Sequence, residues 1–124
     1  MIKRGFKAML AEANAVIETV AVQDLDIHLD DADTVLVDVR DGTEVARDGA
    51  IPGSVHISRG MLEFTAEPES PAHNPVLNPE RRIILYCGTG GRSALAAKTL
   101  FDMGFDDVAS LAGGFAAWRA ARND

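Results

Sequence analysis

Only one cysteine, Cys87, occurs among the 124 residues, so no disulfide can close within the chain. No Cys-x-x-Cys pair exists, which excludes a dithiol redox site and the cysteine-rich zinc sites. The three histidines, His28, His56 and His73, are too scattered for a recognisable metal spacing. The sequence therefore calls for no metal and no cofactor. No apolar run approaches the roughly 20 residues of a membrane span. The start, Met1-Ile2-Lys3-Arg4, turns amphipathic at once and lacks the apolar stretch of a signal peptide. The expected location is the cytoplasm, with no membrane partner. Positive charge is also scarce: 12 Lys and Arg stand against 19 Asp and Glu, a net charge of −7. That balance disfavours nucleic acid as a partner. What is present is ordinary for a folded domain. Hydrophobic residues make up 47% and charged residues 25%, which excludes a disordered or low-complexity chain. The length suits one compact domain that needs no staple.

The first segment reads as a helix. Phe6, Met9, Leu10, Ala13, Val16, Ile17 and Val20 recur at spacings of three and four. This face packs on the domain body or forms a dimer seam. The reading separates residues 1–19, an N-terminal amphipathic helix, from a domain over 20–124. A small edge strand is expected at Val20–Val22, and one or two helical turns at Asp24–Leu29. Thr34–Val39 reads as a buried strand, β-branched and nearly all apolar. A short helix over Thr43–Asp48 ends at Gly49. A strand at Val55–Ile57 and a helical turn at Gly60–Phe64 follow. Thr65–Pro79 holds four of the five prolines, so a long loop is expected there, either functional or a plain connector. Ile83–Tyr86 is a second buried strand, Ser93–Met103 a helix capped by Gly104, and Val108–Leu111 a last strand. Gly113-Gly114 leads into a final helix carrying Phe115 and Trp118. Strands alternate with helices, which implies an α/β domain around a mainly parallel sheet.

The chemistry is concentrated in Cys87-Gly88-Thr89-Gly90-Gly91-Arg92-Ser93, between a buried strand and a helix. Ligands of open α/β sheets bind beyond the carboxyl ends of the strands. A cysteine there faces a helix N-terminus, whose free amides favour the thiolate. The glycines let backbone amides curl into an anion-binding nest. Arg92 adds a fixed positive charge. A lone cysteine is commonly just a small buried hydrophobe; the glycines and Arg92 at this junction are what favour a nucleophile.

These residues resemble a known family. Cys87, Gly90, Arg92 and Ser93, as Cys-x-x-Gly-x-Arg-Ser, look like the active-site loop of single-domain rhodaneses. Val37-Asp38-Val39-Arg40 with Glu44 resembles the family's strand-end motif. Gly49–Ile57 (GAIPGSVHI) resembles a further segment, and Gly104-Phe105 and Gly113-Gly114 with Trp118 its closing motif. The resemblance runs from about Val20 to Trp118. It implies a rhodanese-like fold, a five-stranded, mainly parallel sheet flanked by helices. It also implies a sulfurtransferase in which Cys87 cycles between thiol and persulfide. The small-molecule donor would be thiosulfate or a persulfide; the acceptor would be a thiol or cyanide, or a sulfur-carrier protein. Gly88, Thr89, Gly90, Gly91 and Arg92 would bind substrate. Asp38 and Ser93 would be structural near the site. Arg40 would touch substrate, and Arg59 and Glu63, in Arg59-Gly60-Met61-Leu62-Glu63, would line the pocket mouth. His56 reads as a structural histidine. Gly88 and Thr89 are neutral where thiosulfate-preferring members often carry basic side chains, which makes an organic or protein-bound persulfide an alternative donor.

Two other functions compete. Rhodanese-like folds include cysteine phosphatases and arsenate reductases, whose loops resemble Cys-x5-Arg. Four residues separate Cys87 from Arg92 here, and that shorter loop should be too tight for a tetrahedral phosphate. A non-catalytic binding module on the same fold would typically have lost the cysteine, which this chain keeps.

Overall fold

The computed structural model describes residues 1–122. Its elements run α1 (Phe6–Val16), β1 (Glu18–Val20), α2 (Leu25–Leu29), β2 (Thr34–Asp38), α3 (Gly42–Asp48), β3 (Val55–His56), α4 (Leu62–Ala66), β4 (Arg82–Tyr86), α5 (Gly91–Met103), β5 (Val108–Leu111) and α6 (Gly114–Arg122). Single 3-10 turns precede α2 and α4. The strands form one sheet in the order β1-β5-β4-β2-β3, and every pairing is parallel rather than mainly so. No helix among the described residues is long and apolar enough to cross a membrane.

The sheet's alternation sorts side chains into two cores. Val35, Val37, Ile83, Leu85 and Cys87 face one side, under α1, α4 and α5. Leu36, Ile84, Tyr86 and Leu111 face the other, under Leu25 of α2 and Phe115 of α6. Both faces are covered, which explains why β2 and β4 are nearly unbroken apolar runs. The period-two alternation also fixes where the cysteine points: residues 83, 85 and 87 share the α5 side.

The first helix is shorter than its periodicity predicts. It ends at Val16, because Glu18–Val20 pairs with Ala109–Leu111 and gains ladder bonds that a helix would forgo. The expected edge strand therefore lies two residues earlier than Val20–Val22, and Val22 opens a 3-10 turn. Ala13 and Ile17 are buried in the core shared with β2 and β4, and Leu10 is half-buried beside them. Phe6, Met9 and Val16 remain exposed. The segment 67–81 has no helix or strand. It is tied down by buried Leu77 and by His73, whose Nδ1 lies 3.0 Å from the Thr65 carbonyl oxygen.

Strand order reverses between β2 and β4: the chain moves outward to β3 from one and to β5 from the other. Beyond their carboxyl ends opens the crevice where α/β sheets place ligands. Tyr86 anchors the turn between α3 and β3. Its hydroxyl accepts from Ile51 N at 3.0 Å and lies 2.9 Å from Ser54 Oγ, which itself donates to the Ile51 carbonyl at 2.7 Å. Tyr86→Phe strands a buried amide. We expect a loss of about 1–3 kcal/mol, read as a lower urea midpoint at an unchanged slope.

Candidate active site

The loop Cys87–Gly90 joins β4 to α5. Gly90 caps the helix at φ 114°, a conformation open to glycine. Its turn brings backbone donors onto the sulfur: Gly90 N lies 3.1 Å and Ser93 N 3.4 Å from Cys87 Sγ. Ser93 Oγ is 3.5 Å from Sγ, and it is held there by Ser110 Oγ at 2.7 Å and the Gly90 carbonyl at 3.2 Å. Cys87 is 1% exposed. Burial pushes its thiol up, while the Ser93 hydroxyl and the amides of Ser93, Gly90 and Thr89 pull it down. The donors prevail and the thiol lies below its ordinary value.

The outer side of the loop is fixed by α6. Phe115 N donates to the Cys87 carbonyl at 2.8 Å and Ala116 N to the Gly88 carbonyl at 3.0 Å. This approach requires glycine at the start of α6. A Cβ on Gly114 would fall 2.5 Å from the Cys87 carbonyl oxygen and 2.9 Å from Gly88 C and O.

Beside the loop, Asp38 and Arg40 form a buried pair, each 1% exposed. Arg40 Nε and Nη2 donate to the Asp38 carboxylate, Nη2 at 2.7 Å, and Nη2 also donates to the Gly49 carbonyl at 2.7 Å. The guanidinium stacks over Phe115, 4.2 Å from the ring centre. Burial pushes the Asp38 carboxyl up, but the hydrogen bonds from Arg40 hold it below its ordinary value. Arg40 was expected to touch substrate. The structure places Arg40 on the lining of the cleft beside the loop, with its guanidinium already committed to Asp38 and Gly49. His56 Nε2 sits 2.7 Å from the Arg40 carbonyl and braces the same corner.

Arg92 is bound as well. Its Nη1 and Nη2 donate to the two Glu44 carboxylate oxygens at 2.6 and 3.0 Å. Arg92 holds the Glu44 carboxyl down at about 2, so the pair stays charged at any working pH. The guanidinium lies over Gly88, where a Cβ would meet Nη2 at 3.1 Å. The loop's only cation is thus neutralised by α3.

A cleft of about 440 Å³ opens against this loop, between α3 and α6. Gly88 and Thr89 form its inner edge, and Phe115, Ala116 and Arg119 its α6 wall. Thr89, Gly90 and Gly91 border a second hollow, of about 300 Å³, on the loop's other side. Arg59 and Glu63 line neither. Arg59 Nη1 donates to Glu63 at 2.9 Å and Nη2 to Thr99 Oγ1 at 3.0 Å, on the outer flank of α5. The structure does not bring these two residues to the pocket mouth where they were expected, because their helical pairing turns both along α5. The proline-rich loop lines neither hollow. Glu44, Phe115 and Arg119 were missed as site residues. Only the nearness of Glu44 to the Asp38 motif hinted at one of them.

The chain is similar to several known proteins. A family model described as a rhodanese-like domain matches residues 21–121. The thiosulfate sulfurtransferase GlpE of Pseudoalteromonas translucida is 37% identical over 97 residues, covering 77% of this chain and 83% of that one. The tRNA sulfurtransferase of Desulfurococcus amylolyticus is 39% identical over 88 residues, 71% of this chain; the match spans 15% of that longer protein. Among solved structures, a Rhodopseudomonas palustris protein described as of unknown function and a possible tyrosine phosphatase superposes with a TM-score of 0.93. It is 50% identical, and the match covers 100% of this chain and 96% of that one.

Gly114→Ala tests the clamp on the loop. We expect about 2–4 kcal/mol of destabilisation, from the left-handed φ of 59° and the backbone overlap. Calorimetry measures it, and the same change at Gly5, where nothing lies within 4 Å of an added Cβ, is the control.

Proposed function

The chain belongs to the family of rhodanese-like domains, and on that footing we propose that it moves sulfane sulfur through a persulfide on Cys87. Family membership supports sulfurtransferase activity; the covalent cycle, the donor and the acceptor are our reading of the site. The observation that carries it is the pair of backbone donors aimed at one sulfur, the Gly90 and Ser93 amides, with the Ser93 hydroxyl oxygen 3.5 Å away.

The Cys87 thiolate attacks the outer sulfur of the donor. With thiosulfate, the S–S bond breaks and sulfite leaves with the bonding pair. Cys87 keeps the transferred sulfur as a persulfide, whose charge the loop amides stabilise. An acceptor thiolate or cyanide then attacks that sulfur, and the Cys87 thiolate is released. This is double displacement through a covalent intermediate. Cys87 is the only cysteine, so no thiol of the same chain can intercept the persulfide as a disulfide. Gly88, Thr89, Gly90 and Gly91 shape the loop, and Arg92 joins it to α3. Asp38, Arg40 and Ser93 position it. The acceptor is a small thiol or a sulfur-carrier protein, and the site of action is the cytoplasm.

Because the palustris relative is described as a possible phosphatase, phosphate-ester hydrolysis is the second reading. Two features weigh against it. Only four residues separate Cys87 from Arg92, and the Arg92 guanidinium is already bidentate to Glu44.

Intact-mass analysis after incubation with thiosulfate or glutathione persulfide decides between them. Wild type should gain one sulfur atom that cyanide removes, and Cys87→Ser should gain none. No gain from either donor, together with turnover of an aryl phosphate, would overturn the proposal in favour of a phosphatase.

A further inference from the structure

Among the described residues, every arginine around the cleft has a carboxylate partner but one. Arg40 is held by Asp38, Arg92 by Glu44 and Arg47 by Asp48. Arg119 forms no ion pair among the described residues, although it lines the cleft beside Gly88 and Thr89. Its guanidinium carbon lies 5.8 Å from the Phe115 ring centre, so the side chain lies along the α6 wall. Asp48 lines the same cleft and is held below its ordinary value first by Arg47 and in smaller part by the field of Arg119. Of the other lining groups, Arg40, Glu44 and Asp48 are already paired, Thr89 is neutral, and the rest are apolar or glycine. A cleft of about 440 Å³ exceeds the needs of an inorganic anion and falls in the range of pockets for small organic molecules.

We propose that Arg119 is a specificity-determining residue that pairs with a carboxylate of an organic persulfide, making a carboxylate-bearing low-molecular-weight persulfide the preferred sulfur donor. The inference rests on the Cys87 persulfide reading. In the reaction, Cys87 sulfur bonds to the outer sulfur of R–S–SH, the S–S bond breaks, and R–S⁻ departs. The proton on the transferred sulfur passes to R–S⁻, giving R–SH and the Cys87 persulfide anion, with no oxidant or reductant needed. Arg119 acts on R, away from the sulfurs. With Arg92 and Arg40 committed, a dianionic inorganic donor meets no free cation at the loop itself, whereas an organic donor with a remote carboxylate meets one on the cleft wall.

The test compares two donors with the same reacting group. Glutathione persulfide carries carboxylates; the persulfide of 2-mercaptoethanol carries none. Loading of Cys87 is followed by rapid quench and mass for wild type, Arg119→Ala and Arg119→Lys. The preference for glutathione persulfide, as a ratio of kcat/KM values, should fall about tenfold in Arg119→Ala, mainly through KM. Arg119→Lys should recover part of it. Arg119 is exposed, so the variants should fold as wild type does. An unchanged ratio in Arg119→Ala, with wild type still loading, overturns the role of Arg119 and leaves the persulfide cycle standing. Failure of wild type to load from either donor overturns the cycle itself, and this inference with it.

Discussion

The Cys87 end of the sheet depends on how the peptide groups after that residue are turned. Each peptide plane points its carbonyl and its N–H in opposite directions. The first turn of α6 takes the carbonyls of Cys87 and Gly88 on one side of the loop. The amides of Gly90 and Ser93 then meet the sulfur on the other. Gly114 makes the outer contact physically possible, and Gly90, at φ 114°, makes the inner turn possible. The surroundings of Cys87 thus depend on two glycines 24 residues apart, one capping α5 and one opening α6.

Side-chain charge plays a smaller part than the motif suggests. An arginine two residues into a catalytic helix invites the reading of an anion clamp. Here that arginine is spent on Glu44, and Arg40 on Asp38. Both pairs tie the α5 loop and the β2 end to α3 and the Gly49 turn. Breaking a buried pair such as Asp38–Arg40 leaves an uncompensated charge. What faces the sulfur is therefore a set of fixed backbone dipoles and one serine hydroxyl, a preorganised arrangement that needs no side-chain movement to meet a new negative charge.

Much of this was legible in the sequence. TVLVD and IILY announce buried parallel strands because both faces are apolar, and the Cys87–Ser93 loop announces a strand-to-helix anion nest. What depends on contacts distant in sequence was not. Glu44 reaches Arg92 across 48 residues, and Phe115 and Arg119 enter the site only because α6 folds back on the loop. Arg59 and Glu63 show the converse error: their spacing of four fits a helical ion pair, and that pairing draws them along α5 and away from Cys87. The end of α1 was misread because periodicity carries on through Ile17 and Val20, whereas pairing with β5 decides the backbone.

The central claim is that donors on the loop outweigh burial and favour the Cys87 thiolate. The most direct measurement is the ultraviolet absorbance of the thiolate as pH is raised, with Cys87 as the sole cysteine. The account predicts a midpoint below the ~8.5 of a free cysteine, shifted upward in Ser93→Ala, which removes the hydroxyl donor but keeps the amide. A wild-type midpoint at or above the free value, unmoved by Ser93→Ala, would contradict it, for burial alone would then govern the sulfur.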